Sequence, residues 1–487
     1  MRPAKTVICL WLLAVVPALA QKAVDRVMAE ARKPSTLEAN LERLTDQVGG
    51  RVPGTPAMEK AVQWGIEAFR AAGADNAHAE EFTIQHSWAE GATTMTVVEP
   101  ETFPVRAISK AWAPALAPAH HVAIVDVGRG SAEDFAKAKD LTGSVLLVHS
   151  EPMRNWDDLG NEYTNARLVV DRAVKAQALA VAFQSTRPND LLYRHTNSVE
   201  GEIDRLPQVL VAREDASRMA RLLASGQKLY VDLSIPNQVG GPISSANVVA
   251  ELPGREHPEE FVVLGAHLDS WDLGTGALDD GCNAALVVDT FRAIKNSGVR
   301  PRRSIRFILF SGEEEGMIGS YLYVRQHRHE MDKAVAVVIF DSGIGRLTGF
   351  SLEGRKDLVA PATHLLTPLT PFSRIKFTLD ASADTDDFDF MLEGVPTFVA
   401  GNEEDNYLIN YHASSDTFDK VDFAKLKQHV VEAAAVAFAM ADAPGRVGPR
   451  LTHAQIEQNM RAAHLDVDMQ TSSLWQEWET SQRGREK

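Results

Sequence analysis

Between Ala246 and Met440, apolar runs of strand length alternate with helical segments, and ligand-type side chains stand where those runs give way to loops. Strand candidates fall at residues 246–252, 261–267, 304–310, 334–340 and 397–400. Helix candidates fall at 283–295, 317–328 and 421–440. This alternation constrains the chain to an α/β class, with a mostly parallel sheet covered by helices on both faces. Open sheets of that kind gather the polar residues that follow their strands at one edge, where ligands bind. In this sequence those residues are His267, Asp279, Glu314, Asp341 and His412.

Two imidazoles and three carboxylates form a donor set suited to zinc. His267 closes an apolar strand, and Asp269 stands two residues on, where it can accept the other ring N–H and hold the tautomer. Asp279 and Asp280 lie in a glycine-flanked loop before a helix, a place where the helix dipole alone also favours acids. Glu313, Glu314 and Glu315 leave a buried strand side by side, so their mutual repulsion requires a cation or a helix start. Asp341 abuts seven apolar residues, and His412 sits in a polar loop before the last long helix. Two Zn²⁺ ions, three carboxylates and one hydroxide shared by the ions sum to a neutral site. Glu313 adjoins a ligand without being needed as one, which suits a general acid/base that moves the water's proton. The chemistry expected is hydrolysis of an amide bond.

The bulk properties narrow the partners. The chain has 487 residues, too many for one ordinary core, so two domains or a large insertion are expected. Its net charge of -16 argues against nucleic acid, whose phosphates need a basic surface. Arg2 and Lys5 precede an apolar run from Thr6 to Ala20 that ends in Ala18-Leu19-Ala20, the pattern of a secretory signal cleaved near Ala20. The run is shorter than the roughly 20 residues of a spanning helix, so export without a membrane anchor is expected. Cys9 leaves with the signal, and Cys282 alone cannot form an intrachain disulfide.

The expected organisation is a signal at 1–20, the first part of the main domain at 21–118, an insertion at 119–236, the metal-binding part at 237–444 and a helical tail at 445–487. Residues 36–72 are helical in pattern, broken by the Gly- and Pro-rich turn at 49–55, and Ala61, Val62, Trp64, Ile66 and Phe69 form a core-facing stripe. Pro104, Pro114 and Pro118, in and just before residues 105–118, suggest a crossing between domains. Strands are expected at 122–127, 144–149, 206–211 and 228–233, with the last seven residues disordered.

The order His267-x-Asp269, Gly276-Ala277-x-Asp279-Asp280, Glu313-Glu314-x-Gly316-Met317-x-Gly319-Ser320, Asp341 and Tyr411-His412 resembles the co-catalytic zinc aminopeptidase family of zinc exopeptidases. The likeness covers most of the chain after residue 20. It implies a zinc-exopeptidase fold, with a mostly parallel mixed sheet flanked by helices, plus an inserted protease-associated-like domain. It implies two zinc ions bridged by Asp279, with His267 and Asp341 completing one site and Glu314 and His412 the other. Glu313 would be the base and Asp269 would support a ligand, while Tyr411 and Asp386 would touch substrate. One departure is Asp387, where many relatives carry histidine; a change in pocket polarity is expected from it. The leading expectation is an exported exopeptidase acting on short peptides with a free N-terminus, with a homodimer left open. The alternatives are a carboxypeptidase, for which Arg194, His195 and Arg205 are candidate carboxylate binders, and a receptor-like relative without activity.

Overall fold

A computed structural model describes residues 21–198, 201–369 and 375–487. The signal segment at 1–20 lies outside the described residues. Two eight-stranded sheets dominate.

The first sheet runs in the order His78–Ile84, Ile243–Leu252, Arg303–Phe310, His257–His267, Ala334–Ile339, Thr397–Asn402, Leu347–Ser351 and Lys376–Thr378. Four consecutive strands at its centre, from Arg303–Phe310 to Thr397–Asn402, are parallel, and antiparallel pairings lie on either side of them. The central strands read as unbroken apolar runs because both faces are covered. In His257–His267, Val262, Leu264 and Ala266 pack with the helices Pro56–Ala71, Cys282–Asn296 and Phe423–Asp442. The alternate residues Phe261 and Val263 face Tyr323, Val324 and Phe390 on the opposite side. The stripe from Ala61 to Phe69 is buried, as its spacing predicts.

The second sheet is ordered Phe103–Val105, Thr94–Glu99, Tyr230–Ile235, Leu116–Asp126, Val145–Val148, Ala180–Gln184, Gln208–Val211 and Ala107–Ser109. Its four strands from Leu116–Asp126 to Gln208–Val211 are parallel. Three of its strands therefore come from residues 94–109, ahead of the segment expected to form the insertion. The middle of residues 105–118 is packed. Ala111, Trp112 and Ala113 are buried, and Trp112 stacks on Trp88 with ring centroids 5.7 Å apart. Pro114 follows this buried stretch, and Pro118 lies exposed within Leu116–Asp126.

The C-terminal end also departs from expectation. Helices His453–Ala462 and Leu474–Glu479 pack on Phe388 and Leu392. Beyond them Arg483 is buried, and Arg485 N–H donates to Leu392 O at 2.9 Å. The basic, polar composition of the last seven residues reads as disorder, yet the arginine stem and backbone find partners. Among the described residues, no helix is long and apolar enough to cross a membrane.

Candidate metal centre

Five elements of the first sheet's edge each deliver one candidate ligand. His267 is the last residue of His257–His267. Asp279 lies in the irregular turn Ala277–Gly281 that opens the helix Cys282–Asn296. Glu314 follows Arg303–Phe310, Asp341 follows Ala334–Ile339, and His412 follows the short helix Tyr407–Asn410. The parallel strands end at one edge, so their polar successors converge.

The five side chains meet. Asp279 stands between the imidazoles, with Oδ1 3.1 Å from His267 Nε2 and Oδ2 3.2 Å from His412 Nε2. His412 Nε2 is 2.8 Å from Glu314 Oε2, and His267 Nε2 is 3.5 Å from Asp341 Oδ1. One ligand atom from each of His267, Asp279 and Glu314 lies within 4.8 Å of the others, as does one from each of His267, Asp280 and Asp341. Asp279 Oδ2 and Glu314 Oε1 are buried with no hydrogen-bond partner among the described residues. Buried carboxylate oxygens left so are costly unless a cation shares them. The donor chemistry and these orphaned oxygens fit divalent zinc.

The electrostatics agree. Burial works against charge on both partners, yet Glu314 and Asp279 hold the His412 imidazole up to about 9. Burial raises Asp279, and the His267 and His412 imidazoles outweigh it, so its carboxyl falls far below the usual range. Glu313 goes the other way. Burial first, then the carboxylates of Asp341, Glu314 and Asp386, push it well above the usual carboxylate range against the pull of His267. A group so placed holds a proton readily.

Several supporting residues escaped the sequence reading. Asp416 accepts the backbone N–H groups of Leu278 at 2.7 Å and Asp279 at 3.1 Å, fixing the bridging turn. Arg51, from the Gly- and Pro-rich turn, is fully buried. Its guanidinium donates to Leu268 O at 2.6 Å, Thr275 O at 2.7 Å and Gly276 O at 2.9 Å. Gly276 has φ +59°, and a β-carbon there would lie 2.3 Å from Ser270 Cβ, so only glycine fits this turn. Asp280 accepts His267 N–H and the Asn283 side chain, and Thr385 Oγ1–H donates to Asp341 Oδ2 at 2.6 Å. A lone basic residue in an otherwise neutral turn was the only signal for Arg51, and the acid four residues past His412 the only one for Asp416.

Other expectations are revised. His267 Nδ1–H donates to the backbone carbonyl of Asp269 at 3.1 Å; the Asp269 carboxylate, 3.7 Å away, instead accepts Glu314 N–H at 3.2 Å. Asp386 is buried beneath the cluster rather than lining the cavity, because the turn aims Thr385 at Asp341. Asp387 is likewise buried, outside the cavity lining, so it does not alter pocket polarity. Tyr411 does line the cavity and stacks on His412, centroids 3.7 Å apart. Arg194 is held by Glu90 at 2.5 Å and Asp272 at 2.6 Å, and Arg205 by Asp171, so neither guanidinium faces the cavity. His195 stands behind His412.

The cavity over the cluster holds about 810 Å³. One wall is aromatic, from Trp156, Tyr163, Tyr407 and Tyr411. The other carries Glu353, Asp380 and Asp384 with Lys376. Glu313, Asp279, Asp341 and His412 form part of its lining.

Residues 247–437, which span every candidate ligand, match the model of Peptidase family M28. This part of the chain is similar to peptidase family M28. The match and the ligand cluster together support a metallopeptidase. Carboxypeptidase Q of Mus musculus is 27% identical over 424 residues, covering 86% of this chain and 89% of the relative. A peptidase M28 precursor from Shewanella amazonensis superposes with a TM-score of 0.81 at 25% identity, covering 89% of this chain and 99% of that one. A zinc aminopeptidase from Bacillus subtilis shares the fold of this chain, with a TM-score of 0.65 at 18% identity over 85% of this chain and 97% of its own.

Proposed function

We propose that the protein is an exported, two-zinc exopeptidase that removes N-terminal residues from short peptides. The observation that carries this reading is Asp279, whose two oxygens each face one imidazole while Glu313 stands free in the adjoining cavity. His267 and Asp341 would complete one metal site, and Glu314 and His412 the other. Zinc supplies a Lewis acid for the scissile carbonyl and a water of lowered pKa. Glu313 accepts that water's proton at its carboxylate and returns it to the leaving amine. Asp416, Arg51 and Thr385 hold the ligand turns in place. Tyr411 and the other aromatics exclude water from one side of the substrate. Export rests on the signal pattern at residues 1–20, and we take residues 94–235 as the inserted unit.

The acidic wall favours a free N-terminus. Asp380 and Asp384, exposed on that wall, attract an ammonium group and repel a terminal carboxylate, while burial holds Glu353 up to about 7. The carboxypeptidase reading draws on Lys376 of the lining and on the carboxypeptidase Q relatives. Matched dipeptides with free and acetylated N-termini separate the two. Cleavage confined to the free form, and abolished by a chelator, is expected. Equal cleavage of the acetylated form would replace the aminopeptidase reading with the carboxypeptidase one.

A further inference from the structure

The loop that carries His412 is not held by its own sheet alone. His412 lies in the left-handed region with φ +58°, where a β-carbon costs about 1–2 kcal/mol. Such a conformation persists only where its surroundings over-determine it. The constraint comes from the second layer. Arg194 N–H donates to His412 O at 2.9 Å, and Ser414 N–H donates to Leu192 O at 3.0 Å. Tyr193 and Ala413 pair antiparallel between these bonds.

The side chains continue the contact. His195 Nδ1 lies 2.8 Å from His412 Nδ1. Tyr163 Oη lies 2.8 Å from the same His195 nitrogen and 3.5 Å from His412 Nδ1. His412 Nε2 points the opposite way, toward Glu314 and Asp279.

A ring nitrogen that offers its lone pair to a cation carries no hydrogen, so a neutral His412 ligand must hold its hydrogen on Nδ1. Two imidazoles meeting Nδ1 to Nδ1 share only one hydrogen between them. If His412 holds it, His195 Nδ1 is bare and the His195 hydrogen sits on Nε2. If His195 holds it, His412 keeps its hydrogen on Nε2, facing the cluster, and the lone pair there is lost. The surroundings select the first arrangement. His195 Nε2 faces the Glu162 carboxylate at 3.7 Å and has no other polar partner among the described residues. Glu162 is itself fixed by the hydroxyls of Tyr193 at 2.5 Å and Thr186 at 3.0 Å.

We propose that His195, brought by the second layer, is a positioning residue for the metal centre: it accepts the Nδ1 hydrogen of His412 and so keeps His412 Nε2 open to zinc. The proposal rests on the reading of His412 as a ligand. His267 needs no such help, since its Nδ1–H goes to the carbonyl of Asp269 in its own chain segment.

The test is calorimetric titration of zinc into the metal-free protein. His412→Ala should abolish one of two binding steps; if both survive, the reading of His412 as a ligand fails, whatever His195 does. With that step assigned, His195→Phe, which keeps a ring but no acceptor, should weaken it by about 10–100-fold and leave the other within about twofold. His195→Gln, whose amide oxygen can accept, should recover most of the loss, which a purely packing role would not give. Glu162→Gln leaves both rings in place and should weaken the same step by a few-fold; it decides the matter if His195→Phe does not fold. Unchanged zinc binding in the His195 and Glu162 variants, with His412→Ala losing its step, would overturn the proposal.

Discussion

The two sheets share a plan and differ in what their strand ends do. Each has four parallel strands at its centre and gathers polar residues beyond them. In the second sheet several of those groups satisfy one another, although Arg187 Nε and Nη2 find no hydrogen-bond partner among the described residues. His149 Nε2 lies 2.8 Å from Asp126 Oδ1, and the Gln184 amide bonds Ser150 N–H at 3.0 Å and Ser217 Oγ at 2.8 Å. In the first sheet the corresponding groups are mostly acids, and Asp269 Oδ1, Asp279 Oδ2 and Glu314 Oε1 find no hydrogen-bond partner among the described residues. A parallel edge collects polarity in either case. Only where the protein leaves that polarity unsatisfied is there chemistry for a cation to complete.

The comparison can be broken in several places. Its largest consequence concerns Glu313, the free acid of the first edge. Glu313→Gln should lower kcat by about a hundredfold to ten-thousandfold, as expected for loss of proton transfer, while zinc content by mass spectrometry stays unchanged. Near-normal turnover in that variant would remove the base from the account. Next comes the interior core of the second layer, away from His195, which should matter to stability rather than to metal. Leu147→Ala, at a fully buried strand position, should cost about 2–5 kcal/mol in urea unfolding, with zinc affinity kept in the folded protein.

Acid should then weaken the first layer through His429, buried on the helix Phe423–Asp442. Burial, against the hydrogen bond to Gly345 O, pushes His429 down to about 4. Its unfolded value is higher, near 6.5, so the unfolded chain takes up the proton first. The stability this neutral imidazole contributes is complete above about pH 6.5 and lost as pH falls toward 4, to a total of about 3 kcal/mol. His429→Gln should flatten that slope in denaturation of the metal-free protein at pH 7 and pH 5. The smallest effect belongs to the satisfied edge. Asp126→Asn breaks a partly exposed pair and should change stability by less than about 1 kcal/mol, with turnover intact.

The sequence makes some parts of this molecule plain and hides others for physical reasons. The candidate ligands of the first edge stand out because apolar runs of strand length end beside them, and burial on both faces makes those runs continuous. The strands Thr94–Glu99, Phe103–Val105 and Ala107–Ser109 are short and broken by Pro100 and Pro104, so no periodicity marks them. Arg51 and Asp416 act through backbone carbonyls and N–H groups, which leave no side-chain pattern. His195 lies 217 positions from His412, in another layer, and only the fold reveals their contact. Asp386 shows the opposite error, since a motif position does not say which way the turn aims its side chain.

The central claim is that one carboxylate, Asp279, joins two metal sites. Anomalous diffraction at the zinc edge from crystals of the zinc-loaded protein tests it most directly. Two peaks roughly 3.5–4 Å apart, each beside one oxygen of Asp279, are the predicted result. A single peak at full zinc loading, or two peaks with Asp279 touching only one, would contradict it.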